Sequence, residues 1–412
     1  MNQFNYRNNQ FFAENLAIKD IAAKVGTPFY CYSKATLVQN YQNFANAFAG
    51  SNHKICYAIK ANPNINIAKI FANFGAGIDA VSAGEVFRAL KAGTDPKKVV
   101  FAGVGKSRDE LEFALKNGVE EFSVESEPEL LLLNKVAQDL GVKVKIALRV
   151  NPDVDAKTHS KISTGKKGDK FGIDIFDAPR VYEIAKGLSG LEVFGIATHI
   201  GSQITTLAPF KKAFAKIKDL CLELRQNGFN IENIDFGGGI GIDYQNEQLI
   251  NIADYANLVK NIANDLKTSI TIAPGRSLVG NAGILVSEVI YVKKTTSKDF
   301  LIIDAAMNDL MRPGLYDAYH KVLPVEKKDG KKEIFDLAGP VCESTDILAK
   351  NREFIDAKSQ DLVAFLAAGA YGASMSNEYN SRPMIPEVLV DGGDFRIIRK
   401  RPTFDQMIQL EN

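Results

Sequence analysis

Tyr57-Ala58-Ile59-Lys60-Ala61-Asn62-Pro63 ends a short apolar run with a lysine and then a break. Ile55 to Lys60 reads as a strand, and Asn62-Pro63 cannot continue it. A lysine at that point leaves the wall of a buried sheet and enters whatever cavity lies above. Burial disfavours the ammonium form, so the pKa is expected to fall and free amine becomes available as a nucleophile. Such an amine can form a Schiff base with an aldehyde. The same lysine could simply reach solvent at a strand end, so its neighbours must decide.

Strand-like runs recur at Ile55-Lys60, Ile78-Val81, Val99-Ala102, Glu121-Val124, Lys143-Val150, Leu191-His199, Asn233-Phe236 and Ser269-Ile272. Helical patterns such as Ser126-Leu140 and Pro209-Asn227 fill the gaps. Crossover helices return the chain to the same end of the sheet, so the alternation predicts parallel strands. Eight such units point to an α/β fold with a closed (β/α)8 TIM-type barrel, an open sheet being the alternative. After residue 276 helical periodicity fades. Val286-Lys293, Phe300-Asp304, Phe335-Ala338, Leu362-Leu366, Glu387-Val390 and Phe395-Ile398 read as strands of a mostly β C-terminal domain. The expected division is a barrel over residues 26–280 and a β domain formed by 1–25 and 281–412.

Composition sets further bounds. The 412 residues are 46% hydrophobic and 24% charged, with a net charge of +1. That is a globular composition with no electrostatic case for nucleic acid or an anionic membrane. No apolar run reaches membrane-spanning length, and the start shows no signal-peptide pattern. Cys31, Cys56, Cys221 and Cys342 are widely spaced without a CxxC pair. This argues against a disulfide framework or a metal site and suits a cytoplasmic location.

In a (β/α)8 barrel, chemistry gathers at the carboxyl ends of the strands. Lys60 ends the first predicted strand, His199 the sixth, Gly237-Gly238-Gly239 follows the seventh and Pro274-Gly275-Arg276 the eighth. The glycine run lets backbone N–H groups converge on an anion, and the loops after strands seven and eight are the usual phosphate site. A tight turn needing positive φ explains the glycines equally well. The His199 ring suits stacking on a planar group, and Arg276 suits a bidentate anion contact. In the β domain, Cys342 beside Glu343 offers a proton donor. Arg312 and Tyr316, four residues apart, could share an anion. Tyr371, between small residues, could donate to a phosphate.

With these residues in view, the chain resembles the pyridoxal-phosphate-dependent decarboxylases of the alanine-racemase-like fold. The resemblance rests on Tyr57 to Asn62, His199-Ile200-Gly201-Ser202, Gly237 to Gly239, Pro274-Gly275-Arg276 and Cys342-Glu343-Ser344. It is strongest to the branch that decarboxylates meso-2,6-diaminopimelate to L-lysine. Thr158 to Gly165, Lys170-Phe171-Gly172-Ile173 and Asn308 to Pro313 with Tyr316 carry that part.

The resemblance implies a homodimer with shared active sites, acting on a small amino acid. It makes Lys60 the Schiff-base lysine, with His199 stacked on the cofactor ring and Asp79 nearby. Ser202, Gly238, Gly239, Gly275, Arg276 and Tyr371 would hold the phosphate. Arg276, Arg312 and Tyr316 would grip the distal carboxylate of the substrate. Cys342 would deliver a proton and Glu343 would meet the distal ammonium, both from the neighbouring subunit. One departure stands out. The family's glutamate beside the pyridine nitrogen is replaced here by Ala273, just before Pro274. Related decarboxylases of arginine, ornithine or carboxynorspermidine remain alternatives, as does a non-catalytic homologue that only binds pyridoxal phosphate.

Overall fold

The computed structural model describes residues 3–155 and 168–411. The stretch Thr158 to Gly165 lies outside these. The described chain forms two compact units. One comprises Tyr41–Ile242 and Gln248–Ser277; the other comprises Met1–Asn40, Asp243–Glu247 and Leu278–Asn412.

The first unit is the barrel. Its eight strands are His53–Ala58, Gly77–Ala80, Val99–Phe101, Glu121–Val124, Val144–Asn151, Leu191–Ala197, Asn233–Asp235 and Ser269–Ile272. Neighbours pair in parallel around the ring, and the eighth returns to the first with Thr271 beside Lys54. Each predicted strand is present with ends within two residues of those expected. The helices follow the same logic. Ser126 caps Glu127–Leu140 by accepting the Glu129 N–H, and Leu130, Leu133, Val136 and Ala137 form its buried stripe.

The barrel interior is not uniformly apolar. On the first strand, Tyr57 turns outward, its ring 4.6 Å from Phe71 on the helix Ile65–Asn73. Alternation therefore sends Lys54, Cys56 and Ala58 inward. Lys54 pairs with Glu121 of the fourth strand, and Asn233 bonds Thr271 between the seventh and eighth.

The second unit is built on a nine-stranded sheet. Its main path runs Ile347–Ile355, Lys332–Ala338, Phe300–Ile303, Gly283–Lys293, Phe29–Ser33, Glu387–Asp391 and Asp394–Arg399. Leu362–Phe365 also pairs with Gly283–Lys293, and Val322–Pro324 pairs with Leu362–Phe365. Phe4–Arg7, Gln10–Ala13 and Leu16–Ala17 form a separate small sheet. Phe11, Phe29, Cys31, Ile284, Val286, Val388 and Val390 share the core of this unit.

The expected boundary at residue 26 is corrected here. Phe29–Ser33 is wholly buried and bonds to both Gly283–Lys293 and Glu387–Asp391. These pairings bind it to the β unit, and the barrel unit begins at Tyr41. Asp243–Glu247 groups with the β unit as well. The nine-residue strand Ile347–Ile355 was not legible, because its solvent-facing centre, Lys350-Asn351-Arg352-Glu353, breaks the alternation.

Candidate active site

Lys60 sits one turn beyond the first strand, in the 3-10 segment Ile59–Ala61. The turn is fixed locally. Tyr57 Oη donates to Asn62 O at 2.8 Å, and Asn62 Oδ1 accepts from Asn64 N at 3.1 Å. Asn64 then caps the following helix. Lys60 is less enclosed than the sequence suggested, its side chain 39% exposed. Its Nζ lies 3.8 Å from Asp79 Oδ2. Strand register explains the meeting, since Asp79 stands opposite Ala58 on the adjacent strand. Burial pushes the Asp79 carboxyl up, opposed by the charges of Lys60, Arg149 and Lys106.

His199 follows the sixth strand and its Nδ1 accepts the Gly238 N–H at 3.2 Å. An accepting Nδ1 means a neutral ring. Burial, then the nearby charges of Lys60 and Arg149, hold its pKa well below the usual histidine range. The ring is thus fixed in orientation by the glycine loop and kept uncharged, as a stacking platform requires.

The loops after strands six, seven and eight lock together. Arg276 is buried and donates from Nη2 to Ser202 Oγ at 3.1 Å. A Cβ on Gly238 would fall 2.2 Å from Ala273 O, and one on Gly239, which has φ +109°, would fall 2.5 Å from Gly201 O. Only glycine permits this approach, which leaves a cradle of backbone beside Ser202 and Arg276. The Pro274 carbonyl accepts the Ala58 N–H at 3.1 Å, tying the same loop to the base of the lysine turn. Amine, carboxylate, flat neutral ring and anion cradle are therefore joined within one unit. This set fits pyridoxal phosphate: an aldehyde for Lys60, a planar ring for His199 and a phosphate for the cradle.

A second layer was missed from the sequence. Glu125, after the fourth strand, takes Arg149 Nη1 at 2.8 Å, Gly103 N at 3.1 Å and Gly172 N at 3.2 Å. Arg149 also lies over Phe171 at 4.9 Å. Lys106, buried, reaches Glu129 at 2.7 Å and the carbonyls of Gly103 and Ser123. Glu125 directly follows the fourth strand and Arg149 lies near the end of the fifth, which was the available signal. Nothing in the sequence marked them off from surface charges.

The remaining predicted residues lie in the β unit. Arg312 and Tyr316 share the short helix Arg312–Tyr316, and Arg312 is buried. Cys342 and Glu343 sit on an exposed loop. Tyr371 adopts φ +56°, a left-handed conformation that fixes its backbone direction. Position 273 does hold alanine, its N–H bonded to Gly237 O at 2.8 Å.

Asp235 is a buried carboxyl below the cradle, accepting the Gly237 N–H at 2.8 Å. Burial, then Asp79, push its pKa up to about 7 from 3.8, with Glu121 adding to the rise and Gly237 N–H and Lys54 opposing it. A raised carboxyl pKa means the fold disfavours the ion. The cost is absent below about pH 4, grows as pH rises, and is complete above about pH 7. Asp235→Asn is therefore expected to stabilise the protein at pH 8 by on the order of 3 kcal/mol. Near pH 4 it should have little effect. Thermal melting of both forms across this range checks it; a gain that grows toward acid pH has the wrong sign.

Residues 34–280 match the family model described as the pyridoxal binding domain of pyridoxal-dependent decarboxylases. The barrel unit is thus that of a pyridoxal-phosphate-dependent decarboxylase. The chain is 47% identical to diaminopimelate decarboxylase of Pseudomonas aeruginosa, over 100% of this chain and 99% of that one. It is 45% identical to the Aquifex aeolicus enzyme of the same name, over 98% and 96%. Among solved structures, Helicobacter pylori diaminopimelate decarboxylase complexed with L-lysine superimposes with a TM-score of 0.92 at 40% identity, covering 95% of this chain and 98% of that one. The M. jannaschii enzyme in complex with L-lysine gives 0.95 at 35%, covering 100% and 98%. The chain belongs to the diaminopimelate decarboxylase family.

Proposed function

We propose that the chain converts meso-2,6-diaminopimelate to L-lysine and carbon dioxide, the last step of lysine biosynthesis, with pyridoxal 5'-phosphate as cofactor. The observation that carries the reading is the grouping of Lys60, Asp79 and His199 beside the Gly238–Gly239 cradle. When bound, the cofactor supplies an electron sink for the pair left as the carboxylate departs. The chain's residues do the rest. Lys60, with Asp79 beside it, would hold the cofactor through its aldehyde. His199 holds the ring plane. Ser202, Arg276, Gly238, Gly239 and Gly275 would hold the phosphate.

Arg312 and Tyr316 take the distal carboxylate, which simple diamine precursors lack. Cys342 supplies the proton that replaces carbon dioxide, and Glu343 meets the distal ammonium. Both come from the second subunit of a homodimer. The cytoplasm is the proposed location, in keeping with four free thiols, one of them exposed. Among the described residues no helix is long and apolar enough to cross a membrane. Carbon dioxide release from meso-diaminopimelate, lysine, arginine, ornithine and carboxynorspermidine, with added cofactor, tests the reading. Release from an amino acid without a distal carboxylate, and none from diaminopimelate, would overturn it.

Ala273 makes a separate expectation. A carboxylate there would sit beside the ring nitrogen and strengthen the sink. Ala273→Glu is expected to raise turnover about tenfold at saturating cofactor. Steady-state kinetics of both forms decide it. An unchanged rate would show that another acid, such as Asp235 two residues before the glycine run, already compensates.

A further inference from the structure

Arg312 is held from two sides within the β unit. Its Nη1 donates to His320 Nε2 at 2.9 Å. The Tyr244 ring lies beneath the guanidinium, 4.6 Å from centroid to Cζ. Tyr244 and His320 meet edge to face, 5.5 Å apart at 84°. His320 is fully buried.

The state of the imidazole follows from its partners. Nδ1 lies 2.8 Å from the Leu366 carbonyl oxygen, which can only accept. Nδ1 therefore carries the proton, and Nε2 is left as the acceptor that Arg312 needs. Leu366 is itself fixed, since its N–H donates to Lys321 O at 2.8 Å. That bond extends the pairing of Val322–Pro324 with Leu362–Phe365. The imidazole is thus held in one tautomer on a rigid ladder. In this tautomer the imidazole carries no charge, so it orients the guanidinium by hydrogen bonding alone.

We propose that His320 is a positioning residue that aims Arg312, and that with Tyr244 it sets where the distal carboxylate of the substrate docks. This rests on the reading of Arg312 as that carboxylate's partner. Aiming matters because a free arginine loses rotamer entropy on binding and must find its bidentate geometry, whereas a held one has already done so. The effect is selective. It concerns ligands that carry the distal carboxylate, and leaves groups at the reacting end untouched.

The test uses two isosteres in the holoenzyme. His320→Asn keeps a donor for Leu366 O but is too short to accept from Arg312. His320→Gln can place an amide oxygen where Nε2 stood. His320→Asn should raise KM for meso-diaminopimelate by about tenfold or more, with kcat changed less than about threefold. Inhibition by L-lysine, which keeps the distal carboxylate, should weaken in step. Inhibition by 1,5-diaminopentane, which has none, should not change. His320→Gln should recover most of the loss. Unchanged KM and lysine inhibition constant in His320→Asn, when Arg312→Lys raises both, overturn the proposal. If Arg312→Lys leaves both untouched, the reading of Arg312 fails and the proposal falls with it. Should melting show His320→Asn to be unfolded, Tyr244→Leu removes the second support and should give the same carboxylate-selective loss; its absence there also overturns the proposal.

Discussion

Lys60→Ala protein is expected to lose the visible absorption of lysine-bound cofactor and at least about a thousandfold in turnover. Borohydride treatment of the unaltered protein should fix the cofactor covalently, on the peptide that contains Lys60. The size of the effect follows from geometry. Lys60 is the amine placed 3.8 Å from Asp79 by the register of the first two strands. It stands on a turn tied to the Pro274 carbonyl and, through Tyr57, to Asn62. Lys106, although on the same unit, is spent on Glu129 and two carbonyls. Lys54 is paired with Glu121. Neither can substitute without abandoning a buried partner, which costs a few kcal/mol. The phosphate cradle does not involve Lys60, so cofactor should still bind, more weakly and without covalent attachment. A trapped adduct on another lysine, or an intact absorption band in the variant, would remove the central assignment.

How much of this was legible follows from which interactions are local. The barrel strands are short buried runs separated by amphipathic helices, and both signals lie in contiguous sequence. Capping residues such as Ser126 and Asn64 mark helix starts in the same local way. Phe29–Ser33 was assigned to the wrong unit because its partners, Gly283–Lys293 and Glu387–Asp391, are remote in the chain. No periodicity reports on a remote partner. The site divides similarly. Lys60, His199 and the glycine run stand out because lysine, histidine and consecutive glycines are costly at barrel strand ends without a use. Glu125, Arg149, Tyr244 and His320 are common residue types whose roles arise only from where the fold turns them. Asp235 could be seen beside the glycine run, but not its elevated pKa, which comes from burial and then from Asp79 and Glu121 on other strands.

Equal amounts of Lys60→Ala and Cys342→Ala subunits, each nearly inactive alone, are expected to recover about a quarter of normal activity after mixing and reassembly. Random pairing makes half the dimers mixed, and each mixed dimer holds one intact site of two. The expectation depends on where a thiol can work. Cys342 is exposed in the single chain, on a loop that is nonetheless well built. Asp346 is buried beneath it and accepts Val341 N at 2.7 Å and Met307 N at 2.6 Å. The Cys342 N–H is held by Asn380 Oδ1 at 2.9 Å, and Glu343 Oε1 accepts from Thr345 Oγ1 at 2.6 Å. A fixed, exposed thiol is available to a second subunit. In the proposed homodimer the second subunit would cover this loop, and its thiol would face the neighbour's substrate. Cys342→Ala alone should then cost about a hundredfold, the usual weight of one proton-transfer group. Native mass spectrometry must show the mixed dimers. If they are present and activity stays at the level of the parents, Lys60 and Cys342 serve the same site from one chain, and the shared-site arrangement is wrong.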